Sequence, residues 1–271
     1  MFVTRSDVKV PEGCRCSALS VSSDQLLPTA SGRKLPFLAF PLVGRFASLS
    51  GAAMSHLPQS RNRLKKEQGT GMDFPEECCV LTDKHCPVLT GFGVRNKKLM
   101  GMKNIKVYAV GLYVDPKAAK NLLNSKQAGI SAKSGIPEQA IFDDLVKSND
   151  VEKSLRMVIS FGGVNQKNFW SALQERLEPP MKKAGDVGPM QEFGALFDDV
   201  KFKKGLQLNF TSGKDGALIT QVDNKQVGIV KSPLLTKTLF DVYLGRDPVS
   251  PSAKESIGRG LMNLAIDVSD V

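Results

Sequence analysis

The chain reads as an α+β protein built on a largely antiparallel sheet with helices on one face. Three observations predict this. Apolar β-branched runs come in pairs or triplets joined by turn residues, amphipathic helices fall between those groups, and no βαβ repeat appears along the 271 residues.

Val88 to Asn96 and Ile105 to Asp115 are the first two expected strands, joined by a turn around Gly101. Asp115-Pro116 then opens a helix through about Ser125, with proline in the first turn. A second helix begins at Pro137, its apolar positions being Ala140, Ile141, Leu145 and Val146. Leu155 to Phe161 is a third strand, ended by Gly162-Gly163. Asn165 to Lys183 is a long amphipathic helix with Phe169, Leu173 and Leu177 spaced by four. Pro179-Pro180 is expected to kink or split it, and Gly185 to cap it. Pro189 opens a short helix through Phe197. Strands at Leu206 to Thr211, Ala217 to Val222 and Gln226 to Val230 are separated by the hairpin turns Lys214-Asp-Gly216 and Asp223-Asn224. Helices from Pro233 to Leu244 and from Ala253 to about Asp267 close the chain.

Charge divides the chain unevenly. Of its net charge of +10, residues 1–66 supply ten Lys/Arg against three acids, and the remainder is close to neutral. A nucleic-acid-binding domain would carry the basic face on its folded body, so that class is disfavoured. Residues 1–66 also hold ten serines, with Pro and Gly breaking any regular period. This composition is that of an organellar transit peptide, chloroplast more than mitochondrial; the plainer alternative is a disordered tail. The expected division is therefore 1–71, transit peptide and linker (the basic stretch Arg61 to Lys66 included), and 72–271, the folded domain. The mature chain is expected to start between about residues 50 and 72, where composition changes. No 18-residue apolar run marks a membrane span.

The five cysteines all precede residue 87, so none can staple the main domain internally. Cys78, Cys79, His85 and Cys86 superficially suggest metal ligands, but adjacent cysteines do not match the usual spacing and no second ligand pair follows. The two histidines, His56 and His85, lie upstream of the main domain, which disfavours histidine catalysis there. No cofactor is expected.

The most informative stretch joins Gly91-Phe-Gly-Val-Arg95 to Ile105-Lys-Val-Tyr108-Ala-Val-Gly-Leu-Tyr113. It puts Arg95 and Tyr108 on neighbouring strands, where a cation and a phenol can hold one carboxylate at the end of an apolar cleft. Taken singly, Arg95 is a solvated arginine and Tyr108 a core residue. Gly91 and Gly93 are read as backbone-fit positions and not as a phosphate cradle, since no G-x-G-x-x-G opens a helix. Lys201-Phe-Lys-Lys204 reads as a solvated loop edge.

From about Leu89 to Asp267 the chain resembles the chalcone isomerase fold family. The resemblance rests on Gly91-x-Gly-x-Arg95, on Tyr108-Ala-Val-Gly-Leu-Tyr113 and on Gly245-Arg-Asp-Pro-Val-Ser-Pro251. It implies an open-faced β-sandwich with a ligand cleft between helices and sheet. The isomerases of that family use a strand threonine, a tyrosine opening the long helix, an asparagine further along it and a late hydroxyl. Here these positions fall on Tyr108, Phe169, Arg176 and Val242. Only Tyr108, Tyr113 and Tyr243 are tyrosines, so the long helix has none. The expectation is a non-enzyme: loss of a single such group costs ~10²–10⁴-fold in rate. Arg95 with Tyr108 resembles the pair of the plastid fatty-acid-binding branch, which implies a stromal protein holding a free fatty acid of about C12–C18 through those two residues. Phe169 and Val242 are expected either in the core or on the cleft lining, Arg176 in solvent, and Tyr113 and Tyr243 in structural roles. An isomerase with an altered cleft and a non-catalytic modulator of a flavonoid or lipid pathway enzyme remain as alternatives.

Overall fold

A computed structural model describes residues 63–81, 86–98, 104–124 and 137–266, all within one compact unit. The expected transit segment up to residue 62, His85 and the Gly101 turn lie outside these. Eight strands and six helices are described. In chain order they are β1 (Leu64–Lys66), β2 (Asp73–Pro75), β3 (Val88–Lys97), β4 (Ile105–Val114), α1 (Pro116–Asn124), α2 (Gln139–Lys147), β5 (Lys153–Ile159), α3 (Gln166–Lys183), α4 (Gly188–Ala195), β6 (Gln207–Ser212), β7 (Leu218–Val222), β8 (Lys225–Val230), α5 (Pro233–Leu244) and α6 (Pro251–Ile266).

Strands β3 to β8 form one six-stranded sheet in sequence order, antiparallel at every pairing. Period-two alternation sorts its faces. Val110, Leu112 and Val114 point into a core shared with Phe142, Leu177, Phe193, Leu239 and the other helices' apolar faces. Ala109 and Tyr113 point the other way, against Phe74, Cys78 and Val80. That second face is covered by the β1–β2 segment, whose first strand falls in the stretch expected to be linker. Lys65 pairs with Phe74 across this ribbon, and the Tyr113 hydroxyl donates to Pro75 O at 2.8 Å. Three-residue strands carry too little period to be legible.

Local chemistry fixes the element ends. Asp115 Oδ1 accepts from the amides of Lys117 and Ala118, both at 2.9 Å, and so caps α1. Asn165 and Ser232 cap α3 and α5 by accepting from Asn168 N and Leu235 N. Helix α3 ends in a Schellman motif: Gly185 takes φ +70°, its amide reaches Lys182 O, and Asp186 N reaches Met181 O. Asp223 and Asn224, both at positive φ, make the β7–β8 hairpin turn.

Of the two expected outcomes, a kink or a split, the split does not occur: α3 runs through Pro179-Pro180 to Lys183. Both prolines sit on its exposed side, so the carbonyls of Glu175 and Arg176, deprived of donors, lie where water replaces them.

Helix α6 crosses β3 at contact distance, and this positions the site. A Cβ on Gly91 would fall 2.5 Å from Ile257 N, and one on Gly93 would fall 2.6 Å from Ala253 Cα. A Cβ on Gly260 would approach Thr90 O to 1.5 Å. The two strand glycines thus make room for a helix backbone, in keeping with their reading as backbone-fit positions.

Candidate functional site

Arg95 and Tyr108 face one another across β3 and β4 as direct register partners. The register slips by one residue immediately after this pair, before Asn96 meets Lys106. Such a bulge re-aims the side chains around it. Arg95 lies within β3, near its end. Tyr108 shares the helix-facing side with Val110 and packs, partly buried, against the main core.

Helix α5 and the loop after it complete the group. Arg95 Nη1 donates to Val249 O at 2.6 Å, Ser250 Oγ donates to Val94 O at 2.8 Å, and Val249 N returns to Val242 O. The Gly245-Arg-Asp-Pro-Val-Ser-Pro251 loop is thereby stitched to β3. From α5, the buried Tyr243 brings its hydroxyl to 3.1 Å from that of Tyr108. Sequence reading left Tyr243 as structural. The signal for it was present, because it sits one residue from Val242, where the late hydroxyl of the fold was sought, and helix phase cannot be set to one residue from sequence.

Electrostatics make this a donor site. Burial raises the Tyr108 pKa above 10.0, against lowering by the Tyr243 hydrogen bond and by the charge of Arg95. Burial raises Tyr243 further, and the Tyr108 phenol adds to the effect. Both hydroxyls are thus protonated at neutral pH. Either hydroxyl can donate in the bond they share, and when Tyr243 is the donor the Tyr108 O–H is free to donate alongside the guanidinium. A cation and a phenol converging from one side of an apolar core match an oxyanion, a carboxylate above all. The group contains no histidine, carboxylate or thiol to act as general base or nucleophile.

The remaining sequence candidates lie elsewhere. Phe169 is buried with its ring 5.4 Å from Phe197 and 5.0 Å from Phe202. Phe202 is the apolar member of the Lys201–Lys204 run, turned inward while its lysines stay exposed. Val242 is only 8% exposed and lines an open cleft of about 420 Å³ over α2, α3 and α5. Arg176 is exposed as expected, but it also forms an ion pair with Asp247 at 2.6 Å. Among the described residues no cluster of three His, Cys, Asp or Glu side chains suits a metal. Instead Cys79 and Cys86 form a disulfide, a pairing not anticipated from the sequence.

A family model for chalcone-flavanone isomerase matches residues 71–264. The chain belongs to the chalcone isomerase family. Within it, the chain is 32% identical to fatty-acid-binding protein 1 of Arabidopsis thaliana over 205 residues, 74% of this chain and 71% of that one. It is 28% identical to chalcone isomerase-like protein 1 of Humulus lupulus, covering 80% of this chain and all of the relative. The crystal structure of an Arabidopsis thaliana fatty-acid-binding protein superposes with a TM-score of 0.65 at 31% identity, covering 76% of this chain and all of that one. The six-stranded antiparallel sheet with its helical layer is the architecture of this family.

Proposed function

We propose that this chain is a non-catalytic fatty-acid-binding protein that holds a free fatty-acid carboxylate through Arg95 and Tyr108. The observation that carries the reading is the group of one guanidinium and two protonated phenols, Arg95, Tyr108 and Tyr243, set between the sheet and α5 on the apolar side of the sheet. The relatives named as fatty-acid-binding proteins support it.

The energetics favour an acid with a long tail. Each buried methylene contributes about 0.8 kcal/mol, so a C12 chain offers about 9 kcal/mol before the costs of association and ordering. A buried carboxylate costs several kcal/mol unless it is paired. Arginine meets that cost better than lysine through its planar fork, fixed charge and weaker hydration. Alcohols and esters offer the site no anion and bind more weakly.

Catalysis finds no support in the same group. The long helix α3 carries Phe169 in place of a tyrosine, and that ring is committed to an aromatic cluster. Residues 1–71 act as a chloroplast transit peptide and linker, residues 72–271 as the binding domain, and the protein works in the plastid stroma in fatty-acid metabolism; the serine-rich, acid-poor leader and the plant relatives support this part.

Calorimetric titration with dodecanoate tests the reading. Wild type binds in a saturable manner and Arg95→Gln, with unchanged thermal unfolding, binds at least ~100-fold more weakly, as loss of one member of a buried ion pair dictates. Equal affinity in the two folded proteins overturns it.

A further inference from the structure

The open cleft over α2, α3 and α5 has its own chemistry. Its walls carry four cations, Lys147, Arg176, Lys237 and Arg246, and three carboxylates, Asp143, Asp241 and Asp247. Of the carboxylates, only Asp247 forms an ion pair among the described residues. Asp247 bonds Arg176, Asp143 accepts from Gln139 Nε2 at 2.7 Å, and Asp143 and Asp241 both lie in the field of Lys254, whose ammonium donates to Gly245 O. Lys147, Lys237 and Arg246 form no ion pair and donate to no protein group among the described residues. Three uncommitted cations therefore converge on one concavity.

We propose that this cleft binds a phosphate monoester or diphosphate group. With Lys254 behind the wall the cations outnumber the carboxylates five to three, and a multiply charged phosphate offers several acceptor oxygens to lysine and arginine donors at once. At about 420 Å³ the cleft is far larger than a bare phosphate and falls in the range of organic-ligand pockets. Val146, Pro180 and Val242 supply apolar wall for the organic body attached to the phosphate. The cleft adjoins the Arg95 group: cleft-lining Val242 pairs through its carbonyl with Val249, whose own carbonyl accepts from Arg95, and Asp247 at the rim lies in the field of Arg95. The phosphate site stands whether or not a fatty acid binds beside Arg95. Asp247 opposes the anion: it holds Arg176 and adds a negative charge at the rim.

The test uses the full chain, with pyrophosphate as the soluble probe and phosphatidylcholine vesicles containing phosphatidate as the lipid probe. Lys237→Ala/Arg246→Ala removes two of the free cations, Asp247→Asn releases Arg176, and Lys203→Ala/Lys204→Ala removes equal charge from a remote loop. Saturable pyrophosphate binding is expected, weakened about tenfold or more by the first double variant, since charge-assisted contacts to phosphate are the strong ones. Asp247→Asn tightens it and the loop variant leaves it unchanged, opposite directions that a folding defect cannot produce. The same pattern with vesicles alone assigns the phosphate to a lipid headgroup. Absence of saturable binding to either probe, or equal weakening by the loop variant, overturns the proposal. A loss of dodecanoate binding in Arg95→Gln is independent of all these outcomes.

Discussion

The hydroxyls of Tyr108 and Tyr243 meet at 3.1 Å between β4 and α5, with Arg95 opposite Tyr108 on β3. In the proposed complex Tyr243 holds Tyr108 in place and Tyr108 donates to the carboxylate. Tyr108→Phe removes a hydrogen bond to a charged group and is expected to weaken dodecanoate binding ~10–100-fold, whereas Tyr243→Phe removes only a neutral one and costs ~2–10-fold. Calorimetric titration of both variants checks the order; a larger loss in Tyr243→Phe contradicts it.

Close approach of α6 to β3 makes Gly260 indispensable. Alanine is ordinarily the better helix residue by about 1 kcal/mol. Here its Cβ would meet Thr90 O at 1.5 Å, backbone that cannot yield without moving the strand. Gly260→Ala is expected to destabilise by ~3 kcal/mol or more in urea unfolding, the upper end of overpacking costs. A stabilised variant would mean that α6 does not cross there.

Two buried titratable groups at the start of β5, Glu152 just before it and Lys153 as its first residue, shape the pH dependence of stability. Burial, with the negative charge of Asp115, raises the Glu152 pKa from 4.5 to about 7, and burial lowers Lys153 from 10.5 to about 8. Between pH 4.5 and 7 the unfolded chain releases the Glu152 proton while the folded chain retains it, so stability falls as pH rises. Between pH 8 and 10.5 the unfolded chain holds the Lys153 proton that the folded chain has lost, so stability rises with pH. These two groups together place a minimum between pH 7 and 8. Glu152→Gln is expected to remove the acid-side slope and to gain on the order of 3 kcal/mol at pH 8 relative to pH 4. Urea titrations of wild type and variant across pH 4–10 measure it; identical profiles contradict it.

Sequence carried the large sheet well because its strands announce themselves. Asp115-Pro116, Asn165, Ser232-Pro233 and Asp223-Asn224 each have a local chemical reason to begin or end an element, and the structure places boundaries within a few residues of them. Arg95 and Tyr108 were legible as neighbours because hairpin-linked strands pair in order. Other features depend on tertiary context. The β1–β2 ribbon is short and partly basic, and exists because Phe74 covers the far face of the sheet beside Tyr113. Tyr243 lies on a helix that is apolar nearly all round, so nothing local says which side meets Tyr108. The continuity of α3 through Pro179-Pro180 depends on which side faces solvent, and the Cys79–Cys86 bond on a chain reversal that spacing does not reveal.

The most direct measurement is denaturing extraction and mass spectrometry of lipids from the purified chain, wild type beside Arg95→Gln, each shown to be folded. Stoichiometric C12–C18 free acids in wild type and their absence from the variant is the expected result. Wild-type protein that carries no fatty acid and takes up none when it is added contradicts the account.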